Sequence, residues 1–225
     1  MNLFRLTAIR ECRTLTPLGW GVLSIVLGMI PVSFVLFAYP FLAPTQPVAG
    51  EVLVVEGWLP DYALEKVKDR FENGNYKLLV TTGGHLQTGY HLSQYKTWAQ
   101  LAASTLNAKG VPLEKIMSAP TTFIPKKDRT YNSALEVRKR LSERGLANAS
   151  IDVVSLGVHS RRTWLMFEIV FTSGKVGIVA LEGKDYDTTR WWLSSAGVRN
   201  VISETVAYVY ARLIFSPPPE PIPDY

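Results

Sequence analysis

The chain has 225 residues, 47% of them hydrophobic and 19% charged, with a net charge of +5 at pH 7. That composition suits one sizeable globular domain plus an accessory segment and excludes a chain disordered throughout. The basic residues are scattered without a dense run, which speaks against a nucleic-acid surface; the single cysteine, Cys12, excludes an intrachain disulfide framework and a cysteine-based metal cluster.

Residues 1–17 are short, polar and basic, with Arg5, Arg10 and Arg13 against Glu11. Residues 18–43 then run without one charge, and about 20 apolar residues suffice to span a bilayer. This run exceeds a signal-peptide core and has no clear small-residue cleavage site after it, so a membrane helix is expected. A cleaved signal peptide and a buried core helix are the alternatives. Trp20 and Tyr39 lie near its ends, where interfacial aromatics are favoured, and Pro31 is tolerable in a membrane helix. The basic flank keeps the N-terminus in the cytoplasm and sends the rest across, as a single-pass anchor. Residues 44–50 form a linker, and the domain is expected over residues 51–215.

A buried strand over residues 52–55 ends in Glu56, Gly57 and Trp58. Ala63, Leu64, Val67 and Phe71 have helical spacing, predicting a helix from Pro60-Asp61 to about Asn73. A second strand, 78–82, ends in Gly83, Gly84 and His85. Further helices are expected over 93–108, 130–144 and 198–215, with a short one at Arg190-Trp191-Trp192. Strands are expected over 116–119, 151–156 and 176–181. The loop 120–128 carries Lys126 and Lys127. The last helix, with Arg199, Glu204 and Arg212, is too charged to read as a second membrane span. The proline-rich residues 216–225 should be extended.

Strands alternate with helices, which predicts a Rossmann-like three-layer α/β/α domain with a mostly parallel sheet, after one N-terminal transmembrane helix. Ligands of such sheets bind outside the carboxyl ends of the strands. Three clusters should therefore face one edge: Glu56-Gly57, Gly83-Gly84-His85 and His159-Ser160-Arg161-Arg162. Ser160 is a good N-cap for the helix after strand 151–156. Arg161 and Arg162 fall in its first turn, where positive charge costs on the order of 0.3–1 kcal/mol each. An anion held by the arginines and the free N–H groups would offset that cost, and so would a carboxylate from elsewhere in the chain. Gly83-Gly84 suits a close backbone approach or an anion nest, or an ordinary turn. Glu56 could be a general base, a metal ligand or the ion-pair partner of an arginine, and His159 an acid/base or a polar turn residue. Thr130 is a natural N-cap, with Arg129 and Asn132 placed to bond something at that helix start. His85, His91 and His159 lack a metal-ligand spacing, although a mixed site assembled in space stays open. There is no GxGxxG or Walker pattern to support a dinucleotide or P-loop NTPase reading and no GxSxG elbow, which leaves Ser160 as a hydrolase nucleophile a minor option; the cofactor stays unknown.

The order of these motifs resembles the ElyC/SanA/YdcF family. The matching elements are Gly83-Gly84, Gly110-Val111-Pro112 with Ile116 beyond, Arg129 to Ala134 (RTYNSA) and Val158 to Arg162 (VHSRR), over roughly residues 52–179. The chain departs from the family pattern in having no acidic residue early in the helix after the double glycine, Tyr131 where a Glu commonly precedes the Asn, and Glu56 where a small or apolar residue is usual. The resemblance implies a Rossmann-like domain on the outer side of the cytoplasmic membrane, linked to envelope integrity, peptidoglycan synthesis and lipid-carrier metabolism. It leaves the chemistry open. The expectation is a site for a phosphorylated or other anionic ligand, such as a lipid-linked precursor. His159 and Glu56 would transfer protons, and Gly57, Gly83, Gly84, His85, Arg129, Thr130, Asn132, Ser160, Arg161 and Arg162 would bind. The alternatives are a non-catalytic nucleotide- or anion-sensing module and a scaffold for an envelope protein partner.

Overall fold

The computed structural model describes residues 13–121 and 128–218. Cys12, Lys126, Lys127 and most of the proline-rich tail lie outside the described residues. The chain divides into two compact units, Met1–Phe37 and Ala38–Tyr225. The first is dominated by α1 (Pro17–Leu42), a charge-free helix of 26 residues that continues into the start of the second. At 1.5 Å per residue it is about 39 Å long, so it is long and apolar enough to cross a membrane.

The second unit is a Rossmann-like α/β domain. Its elements are β1 (Val52–Glu56), α2 (Asp61–Asn73), β2 (Leu78–Gly83), α3 (Trp98–Ala108), β3 (Ile116–Pro120), α4 (Arg129–Glu143), β4 (Ile151–Leu156), α5 (Ser160–Val170), β5 (Val176–Leu181) and α6 (Ser195–Leu213). The five strands lie in the order β3-β2-β1-β4-β5 and every pairing is parallel. The strands are nearly continuous apolar runs because helices cover both faces. Alternation along β1 shows the two layers. Val52 and Val54 face the core shared with α4 and α5, while Leu53 and Val55 face the core shared with α2 and α3. The chain order reverses between β1 and β4, so the ligand crevice of such a sheet falls at their carboxyl ends.

Four helix starts differ from the expectation in position or in cap. The helix expected from Ser93 begins at Trp98, where Thr97 and Gln100 form a reciprocal capping box. The residues before it make an excursion closed by a bridge between His85 and Thr97. Thr130 does not cap α4. That helix starts one residue earlier, after Asp128 in the left-handed region (φ 56°), and no side chain caps it. Ser160 does not cap α5 either, because a 3-10 turn over Gly157–His159 runs straight into the helix. The last helix begins at Ser195, with the Ser194 hydroxyl accepting from Gly197 N at 2.9 Å.

The linker is held down by a buried carboxylate. Asp152, in β4, accepts from Val48 N (2.7 Å), Gly50 N (3.1 Å) and the Tyr76 hydroxyl (2.9 Å). Gln46 adds an antiparallel bridge to Ile178 of β5. Asp152→Ala strands three donors at once, two of them backbone groups. We expect it to cost about 2 kcal/mol, read as a lower urea midpoint with unchanged slope.

Candidate functional site

The crevice is occupied by a cleft of about 870 Å³. Its lining comes from the end of β1 and the residues after it (Glu56, Trp58), the turn after β2 (Gly83, Gly84, His85), the start of α4 (Arg129, Thr130) and the β4–α5 junction (His159, Arg162). Gly83 has φ 145°, and an added Cβ would come within 2.9 Å of Trp98 Cβ, so the missing side chain of Gly83 lets the chain pass closely over the start of α3.

The chemistry is concentrated in a partly buried network of four charges. Glu56 accepts hydrogen bonds from the hydroxyls of Ser155 and, at 3.3 Å, Thr163. His159 Nε2 stands 3.4 Å from Glu56 Oε1, and Nδ1 stands 2.9 Å from Glu204 Oε1. Arg162 grips Glu204 bidentately, with Nε at 2.9 Å from Oε2 and Nη2 at 3.0 Å from Oε1, and Nη1 reaches Thr130 Oγ1 at 3.3 Å. Arg162 Nη2 is also 3.0 Å from His159 Nδ1. A protonated imidazole has no lone pair there to accept with, so that contact follows from both groups donating to Glu204.

Burial alone would push the His159 pKa down. The Glu56 charge and the hydrogen bonds to Glu204 and Glu56 outweigh it and raise the value to about 9. Burial pushes Glu204 up, yet the bonds from His159 and Arg162 hold it at about 2. Glu56 likewise falls below the usual carboxylate range, burial notwithstanding, chiefly through the His159 charge. At neutral pH all four groups are therefore ionised, and two negative charges cancel two positive ones. The two carboxylates address opposite nitrogens of one ring, so they do not converge on a point. Among the described residues no group of three or more metal-ligating side chains does.

Some residues expected at the site lie elsewhere. Arg161 is outside the cleft, its guanidinium stacked 4.2 Å from the Phe41 ring and 5.8 Å from that of Trp164. Consecutive helix positions diverge by about 100°, so Arg161 and Arg162 cannot share a target. Of the two readings of Arg162, the structure shows the carboxylate partner, and that partner is Glu204. Glu56 pairs with His159 rather than with either arginine. Gly57 is buried, donating to Thr82 O at 2.6 Å, and a Cβ there would meet Trp98 O at 2.5 Å. It serves the packing of α3. Asn132 is not in the lining; its side chain donates to Asp128 O at 3.0 Å. Ser160 is buried and not in the lining, its hydroxyl without a partner among the described residues.

Other lining residues went unread. Trp58 stands edge-on to His159, with ring centres 5.3 Å apart. Trp98 and Thr121 also line the cleft. Two buried atoms on its wall, His85 Nδ1 and Thr121 Oγ1, have no hydrogen-bond partner among the described residues. The largest omission is Glu204. Its signal was present, as the only acidic residue in α6.

A Rossmann-like domain with a charge-balanced Glu–His–Glu–Arg network beside its switch-point cleft is the class that fold and site define. Comparison with protein-family models, curated proteins and solved structures gives no match.

Proposed function

We propose that this is a membrane-anchored protein of the cell envelope whose α/β domain binds a small phosphorylated or otherwise anionic ligand, such as a lipid-linked cell-wall precursor, in the manner of the ElyC/SanA/YdcF family. The basic residues before α1 favour a cytoplasmic N-terminus and a domain on the outer side of the cytoplasmic membrane. The observation that carries the reading is the set of donors facing one cleft. The start of α4, without a side-chain cap among the described residues, lies there with exposed Arg129, beside the Gly83-Gly84 turn, the polar atoms of His85 and Thr121 that lack a partner among the described residues, and the imidazolium of His159. The network is neutral overall, so affinity for an anion falls to Arg129, the backbone donors and the His159 proton. His159 Nε2–H, held among the described residues by its 3.4 Å contact to Glu56, is the proton a ligand oxygen can take, and Glu56 is the group that keeps it in place.

A second reading follows from the same network. Each of its four charges already has a partner, which suits a module that binds without turnover.

Thermal unfolding of the detergent-solubilised full chain against inorganic phosphate, nucleotides and a polyprenyl phosphate tests the proposal. A ligand at 100 times its dissociation constant stabilises by about 2.7 kcal/mol. Arg129→Ala and His159→Gln should lose that shift, and Arg161→Ala should keep it. No shift with any anion overturns the proposal. A shift without product formation selects the second reading.

A further inference from the structure

α6 has apolar residues on both of its faces. The inward face buries Gly197, Val201 and Ala211 and sends Glu204 to His159 and Arg162. The outward face carries Ile202, Val206, Val209 and Leu213, at i, i+4, i+7 and i+11, each between 45% and 77% exposed. This spacing makes one stripe along the helix. Arg199 precedes it by a turn and Arg212 flanks its end, both exposed. Soluble surfaces rarely leave such a stripe open without a partner.

The domain itself indicates the partner. Phe41, one residue before the end of α1, packs edge-on against Tyr208 of α6 at 5.4 Å. The Arg161 guanidinium stacks over the same Phe41 ring. Phe41 lies at the C-terminal end of α1, so chain connectivity alone brings the boundary of a spanned bilayer close to it. The helix that touches Phe41 is the one with the open apolar stripe and flanking arginines. Glu168 is the carboxylate near Arg161 and Arg212.

We infer that the outward face of α6 docks on the lipid surface, with Val206, Val209 and Leu213 at the headgroup–acyl boundary and Arg199, Arg212 and Arg161 toward the phosphates. The helix, with Arg199, Glu204 and Arg212, is too charged to span and suited to lie in the interface plane. Glu204 rides on the opposite face, so contact with lipid fixes the helix that completes the His159 network. The cleft is thereby held at the surface from which a lipid-linked ligand would arrive. The inference rests on the membrane anchoring proposed above.

The test uses the full chain with Cys12→Ser and one new cysteine at a time, Val206→Cys, Leu213→Cys, Leu113→Cys or Ile25→Cys. Each is labelled with a bimane fluorophore and reconstituted in phosphatidylcholine/phosphatidylglycerol vesicles with or without 5-doxyl lipid. Leu113 is an exposed residue preceding β3 and serves as the aqueous control; Ile25 reports on α1. Quenching at 206 and 213 at least threefold above that at 113 is expected. Equal quenching at 206, 213 and 113, with 25 quenched, overturns the docking and leaves the anchor standing. An unquenched 25 overturns both. Probes at 206 and 213 that are shielded from water, unquenched by lipid and cross-linked between copies assign the stripe to self-association and also overturn the inference.

Discussion

Glu204→Ala lowers the stability of the domain by about 4 kcal/mol, the range found when one partner of a buried pair is removed. Arg162 and His159 both lose their 2.9 Å contacts to this carboxylate, and among the described residues neither has another carboxylate within bonding distance except the longer Glu56 contact of His159. For a domain of this size, the melting midpoint should fall by roughly 8–16 °C. Arg162→Leu alone is also destabilising, since it leaves Glu204 with only the imidazolium. The double variant Glu204→Ala/Arg162→Leu removes both charges and should cost less than the sum of the single changes by more than 1 kcal/mol. Additive costs would mean that the bidentate pair contributes nothing beyond the packing of its two side chains. Calorimetry of the four proteins at pH 6 decides between these outcomes. The same cycle bears on function, because Glu204 is the only acidic group that α6 brings to the site.

The parts legible in the sequence are those set by local pattern. β1, β2, β4 and β5 are short apolar runs bounded by turns, and α2 has apolar residues at helical spacing, so α/β alternation and the carboxyl-edge rule place Glu56, Gly83, Gly84, His85 and His159 on one edge. What failed depends on contacts between distant residues or on backbone geometry. The start of α3 was misplaced although Thr97 and Gln100 carry the capping-box signature. The start of α4 depends on Asp128 taking a left-handed conformation, which no local pattern announces. Arg161 and Arg162 are adjacent in sequence, yet the helical period sends their side chains apart, one to Phe41 and one to Glu204. Glu204 lies 42 residues beyond Arg162, and only the packing of α6 against α5 brings them together. Glu56 and Ser155 meet because β1 and β4 are neighbours, a consequence of the strand order.

Stability should fall steeply as the medium becomes alkaline, because His159 is charged in the folded protein up to about pH 9. The unfolded chain loses that proton near pH 6.5. A group whose folded pKa is raised contributes fully below the unfolded value and loses the contribution as pH rises through the folded one. The interval from 6.5 to about 9 corresponds to about 3 kcal/mol. On the acid side the sign reverses. Glu204, held at about 2, contributes above the ordinary carboxylate range near 4.5 and loses its contribution as pH falls toward 2. The His159–Glu204 attraction underlies both limbs and is counted once. Greatest stability from this network therefore lies between about pH 4.5 and 6.5. Raising the pH from 6.5 to 9.5 should lower the melting midpoint by roughly 6–12 °C. In His159→Gln the profile over that interval should be nearly flat, since the proton that links folding to pH is gone. An equally steep profile in the variant would place the titrating group elsewhere and leave His159 neutral in the folded state. In that case the Nε2 proton offered to a ligand would have to come from the neutral tautomer, and ligand affinity would lose the contribution of the imidazolium charge.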